Sequence, residues 1–581
     1  MRAFLKLIRL LKPYWHWATL APLMMVVEVT MDLLQPRLVQ RIIDQGIAHS
    51  NGPLILHTGA LMLCAAIIGL GGGMGCTYFS VLAGQAFGAD LRGYVFRTIQ
   101  SLSFGNIDKL ETGTLITRLT NDVSQVMEMV TQMLRVMVRM PLMLVGSLIM
   151  AIVTCPKLAV LFVVLIPIVS TALVSIINRT YPMYHRVQSR LDGLNTVLQE
   201  NLTGVRVVRA FARSEHESRR FRTANDGLME RNTEALRLSA VTMPFMMLCV
   251  NAGIAGTVWL GGLQVGAGEL KTGQLVAFVN YLMQTMMSLV MVSMLGARFS
   301  RAEASAQRID EVLSGVPEVT DPAEPVALPQ FGAGLRFENV SFKYEEDEQD
   351  PVLKNISFSA APGEMIAIIG STGAGKSSLV NLIPRFYDTT EGRITLNDVD
   401  VRDIHETELR HSVGLALQET VLFSGTIREN ITYARPSAEE WEVAEAARAA
   451  QAEEFILGLP EGYETVVGQR GVNLSGGQKQ RIGIARALLA RPDVLILDDS
   501  TSAVDVRTES RIHRALVEQR SDQTLIVVAQ RISTVINADK ILVVDDGRLV
   551  AEGAHSDLLY SSPIYREIYE SQTESGVIAH D

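Results

Sequence analysis

With 581 residues and a mean hydropathy of +0.21, the chain is too long for one compact core and too apolar for an ordinary soluble protein. Charge is divided unevenly: residues 1–315 hold 28 Lys+Arg against 19 Asp+Glu, and the remainder holds 24 against 43. The acidic second half argues against nucleic acid as a partner, because gripping a phosphate backbone takes a basic face that displaces counterions.

The chain opens with MRAFLKLIRLLKPYWHW. Basic residues at 2, 6, 9 and 12 without a small-residue cleavage site predict no removable signal peptide. They predict instead an amphipathic helix on the cytoplasmic membrane surface, with Tyr14, Trp15 and Trp17 at headgroup level. Six apolar segments then follow at about 18–43, 55–83, 127–154, 158–183, 239–263 and 273–297, each long enough for the roughly 20 helical residues that cross a bilayer. Long arginine-rich stretches at 86–126 and 184–238, helical in pattern, separate them, alternating with short, cation-poor loops. By the positive-inside rule the long stretches and both chain ends face the cytoplasm, which predicts a multi-pass plasma-membrane protein.

Within the first apolar segment Glu28 and Asp32 share a helix face, and within the third Arg135 and Arg139 do the same. Charges at membrane depth are costly, so two readings stand: an internal ion-pair cluster, or a wet cavity that recognises cargo. Methionines crowd segments three, five and six, which suits either plain packing or a surface accepting many apolar shapes. Gly69, Gly71, Gly73 and Gly75 predict close helix approach. All four cysteines sit in apolar stretches with no metal or redox spacing and read as packing residues.

Prolines at 317, 322, 325 and 329 mark residues 316–332 as a linker after a membrane domain spanning 1–315. Beyond it, short β-rich runs alternate with helical stretches, predicting an α/β domain with a mainly parallel sheet over 333–571 and a polar tail at 572–581.

Three motifs in this second domain carry chemistry. GSTGAGKS at 370–377 follows the apolar run EMIAIIG and opens a helix, which is the phosphate-loop pattern. There the backbone of Gly370, Ser371, Thr372, Gly373, Ala374 and Gly375 wraps phosphates, Lys376 neutralises their outer oxygens, and Ser377, followed by Ser378, offers a hydroxyl to Mg²⁺. VLILDD ends in Asp498 and Asp499, of which Asp498 is the candidate metal carboxylate. NLSGGQKQR contains Leu474, Ser475, Gly476, Gly477 and Gln478, whose hydroxyl and glycine amides at a helix start form an anion site.

The LSGGQ stretch resembles the signature of ATP-binding cassette proteins, and the resemblance extends over the whole chain. Order and spacing are similar to a half-transporter of the type IV ABC exporter class, most closely to multidrug-type members that work as heterodimers. The resemblance implies an all-α six-helix membrane domain followed by an α/β nucleotide-binding domain, with ATP and Mg²⁺ as cofactors. It also implies that Tyr344 stacks on adenine, that Gln418 links Mg²⁺ to the membrane domain, and that Ser502–Asp505 forms a dimer-contact loop. LSGGQ would face nucleotide held by a second half-transporter. Coupling would run through short helices near Phe104–Leu110 and Ala210–Glu217, docking close to the stretch after Gln418.

Three positions depart from the family pattern. Asp499 stands where the family has a catalytic Glu, Gln530 replaces the switch His, and Gln469 replaces a Glu. A carboxylate retracted by about 1.5 Å misplaces the proton acceptor, and an amide carries no charge to the γ-phosphate. The expectation is therefore a site that binds ATP and hydrolyses it slowly, paired with a partner whose own site relies on this chain's LSGGQ. Expected cargo is a small amphipathic or drug-like molecule. A lipid flippase or peptide exporter would share every motif, and a regulatory, channel-like subunit is a rival of another class.

Overall fold

The computed structural model describes residues 2–329, 334–344, 350–519 and 523–574, without the side chains of 2, 293–297, 519, 573 and 574. Two compact units form: Met1–Gln100 with Gly113–Ser314, and Ser101–Thr112 with Gly315–Asp581. The sequence-predicted start of the second domain at 333 and most of the polar tail lie outside the described residues.

The first unit is helical. Its elements are α1 (Arg2–Ile8), α2 (Trp15–Arg41) and α3 (Gly52–Ser101). In the second unit α4 (Phe104–Leu110) follows. Then come α5 (Val123–Thr154), α6 (Val160–Thr203), α7 (Ser214–Ala240), α8 (Thr242–Gly266) and α9 (Thr272–Leu313), all in the first unit. Among the described residues six helical stretches are long and apolar enough to cross a membrane. Several overrun the apolar segments: α3 has 50 residues and α6 has 44, because the polar continuations 84–101 and 184–203 contain no Pro and the helices run on through Gly93 and Gly193.

Two expectations change here. The apolar face of α1 is covered by protein, not left for a membrane surface: Phe4 and Leu7 are buried, Phe4 meets Phe299 edge to face at 5.6 Å, and Lys6 pairs with Asp310 at 2.5 Å. Within the glycine run, Gly69, Gly73 and Gly75 lie against α2 as expected, a Cβ on them meeting Met31, Glu28 and Met24 at 3.3, 2.9 and 3.2 Å, but Gly71 meets nothing, and Gly72 faces α2 so closely that a Cβ would lie 2.8 Å from the Met24 carbonyl. Helical periodicity explains this, since every-second-residue spacing cannot keep four glycines on one face.

The second unit contains β1 (Leu335–Phe342), β2 (Leu353–Ala360), β3 (Met365–Gly370), α10 (Lys376–Asn381), β4 (Glu391–Leu396), β5 (Val399–Asp400) and β6 (Val413–Ala416). It continues through α11 (Gly476–Leu489), β7 (Val494–Asp498), α12 (Val506–Gln519), β8 (Thr524–Val528), β9 (Lys540–Asp545), β10 (Arg548–Gly553) and α13 (Pro563–Glu574). A six-stranded sheet runs β10-β9-β3-β8-β7-β6, parallel except for the β9–β10 pair, beside a four-stranded antiparallel sheet β2-β1-β4-β5.

Strand alternation sorts the core. Met365, Ala367 and Ile369 of β3 face one apolar cluster with Leu495, Leu497, Leu525 and Val527, while Ile366 and Ile368 face another with Ile496, Ile526 and Val528. Both faces of these strands are thus buried, as continuous apolar runs in parallel sheets require.

Candidate functional site: a phosphate loop, two carboxylates and two amides

The register of three parallel strands builds the site. Val528 of β8 lies opposite Asp498 of β7 and Ile368 of β3, so the residues just past the three strand ends emerge side by side. They form a cleft of about 270 Å³ whose walls include Thr372, Gly373, Gly375, Lys376, Ser377, Ser378, Gln418, Asp498, Asp499 and Gln530. Val352 and Val528 complete it, two apolar residues that no motif flags.

The loop between β3 and α10 turns at Gly375, whose φ of +95° puts it in the left-handed region that a side chain disfavours. Leu353 would also meet a Cβ there at 2.9 Å. Lys376 Nζ donates to the Gly370 and Ser371 carbonyls at 2.9 and 2.8 Å, and burial pushes its ammonium below the usual lysine range. Ala374 is buried, and Ser371 Oγ donates to Asp545 at 3.4 Å, holding the outer edge of the loop.

Ser377 Oγ donates to Asp498 Oδ1 at 3.2 Å. Burial pushes the Asp498 carboxyl up, opposed by that hydrogen bond. Asp499 adopts φ +46°, a left-handed turn that Asp tolerates better than most residues, with its N–H fixed to the Val528 carbonyl at 3.0 Å. Its Oδ2 accepts from Gln530 Nε2 at 2.9 Å and from Gln418 Nε2 at 3.2 Å. Burial also raises the Asp499 carboxyl, and the Gln418 bond opposes the shift.

Tyr344 is not a wall of the cleft but adjoins one of its wall residues. Its hydroxyl shares a hydrogen bond with Ser378 Oγ at 3.0 Å, and its ring meets Phe342 and Tyr387 edge to face at 4.8 and 5.3 Å. It lines a separate cavity of about 420 Å³. In this same unit α4 packs through Phe104, stacked on Phe386 at 4.2 Å, and through Asp108, which accepts from the Tyr387 hydroxyl at 2.6 Å. The recorded side-chain contacts of α4 therefore fall on Phe386, Tyr387 and 316–319, away from the stretch after Gln418.

None of Leu474–Gln478 lines the cleft. Ser475 caps α11 by accepting from Gln478 N at 3.3 Å, and Gln478 Oε1 accepts from Ser475 N at 2.9 Å. Gln480 ties this helix to the loop after β7, donating to Ser502 Oγ at 3.2 Å and accepting from Ala503 N at 2.9 Å. Asp505 caps α12 by accepting from Thr508 N at 3.0 Å, and Gln469 opens a short turn preceding the signature.

In the first unit, Glu28, Asp32, Arg135 and Arg139 all line one cavity of about 900 Å³ bounded by α2, α3 and α5. Arg139 pairs with Glu28 and, at 3.1 Å, with Asp32, whereas Arg135 makes no hydrogen bond or ion pair among the described residues. The ion-pair cluster of the first sequence reading thus forms, and it makes up part of a cavity wall.

Comparison with known proteins places this architecture. The family model described as the ABC transporter transmembrane region matches residues 19–289, and the one described as ABC transporter matches 353–502. The chain is 41% identical to "Uncharacterized ABC transporter ATP-binding protein YfiB" of Bacillus subtilis (strain 168), over 98% of each. It is 34% identical to "ATP-dependent lipid A-core flippase" of Syntrophus aciditrophicus (strain SB), over 100% of this chain and 96% of that one. Among solved structures, a bacterial Atm1-family ABC exporter with ATP bound matches with a TM-score of 0.79 and 28% identity, covering 96% of this chain and 98% of the other. The chain belongs to the ABC transporter family, as a membrane-embedded half-transporter of an ATP-driven exporter whose helical and ATP-binding domains carry the fold of Atm1-family exporters.

Proposed function

We propose that this chain is one half of a heterodimeric exporter, that its own phosphate-loop site binds ATP and hydrolyses it slowly, and that its LSGGQ completes a fast site on the partner. The observation that carries this reading is the Asp499 carboxylate, one oxygen of which receives both the Gln530 and the Gln418 amide protons. Burial raises its proton affinity, so the limitation is reach and engagement. A short carboxylate held by two neutral amides does not extend to an attacking water, and neither amide supplies charge to the leaving phosphate.

The donor set fits Mg²⁺: the Ser377 hydroxyl and the buried Asp498 carboxylate already meet, and Gln418 shares the cleft. Bound there, the ion would screen the phosphate oxygens. Gly370–Ser378 would cradle the phosphates, Lys376 would offset the outermost charge, and Tyr344 would lie against the base. Asp505 and its loop would meet the partner. ATP closes the two cassettes and turns the helices outward, and hydrolysis at the partner's site resets them, which is alternating access between two states. Both chain ends face the cytoplasm of a bacterial-type plasma membrane, and 1–315, 316–332 and 333–571 act as membrane domain, linker and cassette.

The cargo is a small amphipathic molecule held at the Glu28–Asp32–Arg135–Arg139 wall. A lipid cargo is the second reading, favoured by the unpaired Arg135 in so large a cavity and by the relative named a lipid A-core flippase. Restoring both family residues tests the slow-site reading. Asp499→Glu with Gln530→His should speed turnover at this chain's own site, within the roughly 10²-fold range that 1 Å displacements span, and so raise steady-state ATPase activity of the assembled transporter toward about twofold, the partner's site being fast already. An unchanged rate would defeat the reading.

A further inference from the structure

Behind the cleft lies a carboxylate that no motif names. Glu509 of α12 is 5% exposed and spends both oxygens on hydrogen bonds. Its Oε1 accepts from Thr501 Oγ1 at 2.8 Å and from Thr534 Oγ1 at 2.7 Å, and its Oε2 accepts from Arg531 at 3.1 Å. Thr501 lies two residues past Asp499 and immediately before Ser502, which Gln480 ties to the signature helix. Arg531 is the residue after Gln530. The main chain on either side of Arg531 is gripped as well: Gln572 of α13 donates to the Gln530 carbonyl and accepts from Ile532 N, both at 2.8 Å.

We propose that Glu509 is a positioning residue that joins the segment carrying Gln530 to the loop Thr501–Asp505, so that the two shift as one body when nucleotide binds. Deep burial of Glu509 makes the joint stiff, because a buried carboxylate that loses its partners is strongly disfavoured, so all three bonds tend to hold together. The path runs from Gln530 through Arg531, Glu509, Thr501 and Ser502 to Gln480 on α11. Resting on the reading above that this loop and LSGGQ serve the partner's nucleotide, the joint gives the slow site a mechanical hold on the fast one.

The test uses the full-length chain, purified with the copy or partner it assembles with, in lipid nanodiscs. Turnover is measured against MgATP concentration alongside the melting temperature. Glu509→Gln and Arg531→Gln should each lower kcat about tenfold with KM within about twofold, and the double variant should be no slower than the slower single, as expected for two residues of one link. Thr501→Val, which leaves the Glu509–Arg531 ion pair intact, should lower kcat at least about threefold. Losses that multiply in the double variant would overturn the proposal. So would an unchanged kcat with a lower melting temperature, which marks a purely structural bond. If the Glu509 variants do not fold, Thr501→Val decides. The slow-site reading is judged separately, by which chain traps ADP, and does not alter these ratios.

Discussion

Asp499 and Gln530 are 31 residues apart in sequence and 2.9 Å apart in the fold, and the reason is register. Both substitutions were legible from the motifs, because each sits at a fixed offset from an apolar strand. Their convergence on one carboxylate oxygen was not, because it depends on β7 pairing parallel with β8, and pairing leaves no mark in a single sequence. Glu509 was invisible for a similar reason: it reads as an ordinary helix residue until tertiary packing buries it. The neighbouring Asp498 carries a pH prediction. Burial raises its carboxyl, so the protonated form is favoured in the empty cleft; that stabilisation is complete below the ordinary carboxylate range and is lost as pH rises through the raised value. A cation and phosphates favour the ionised form. MgATP affinity should therefore weaken as pH falls through the raised value, by at most about tenfold per pH unit for one proton, and Asp498→Asn should remove that component. Nucleotide titrations of both proteins in the same buffers check it. Parallel curves would show that Asp498 does not titrate in binding.

At the scale of elements, α4 illustrates what pattern alone supplies. Its existence over Phe104–Leu110 was legible, but its docking partners were misplaced: they are Phe386, Tyr387 and residues near 316–319. An exposed aromatic can be read from sequence, whereas the ring it stacks on cannot. Offset stacks of this kind contribute about 0.5–1.5 kcal/mol beyond area burial. Phe104→Ala should therefore loosen α4 while leaving the phosphate-loop cleft untouched. Vesicle transport is expected to fall severalfold with ATPase activity within about twofold. Equal loss of both activities would assign Phe104 to general folding. The membrane helices show the opposite balance: their apolar cores and the helical pattern of the arginine-rich stretches were both legible, whereas the unbroken run of one into the other was not, because a single sequence does not mark where a helix leaves the bilayer.

For the molecule as a whole, one chain holds one phosphate loop and one signature, and the signature does not line its own cleft. On the proposed reading, the two departures at Asp499 and Gln530 are tolerable in an ATP-driven exporter because the work would be divided between two composite sites. On the same reading, the large charged cavity in the membrane unit would be where the cycle acts on cargo. The division of labour is tested most directly by trapping. The assembled transporter is incubated with MgATP and orthovanadate under turnover, using a photoreactive radiolabelled nucleotide, and the two polypeptides are separated to find which retains ADP. The account predicts that label trapped after hydrolysis resides overwhelmingly on the partner chain, while this chain retains intact ATP. Predominant trapping of ADP on this chain would contradict it.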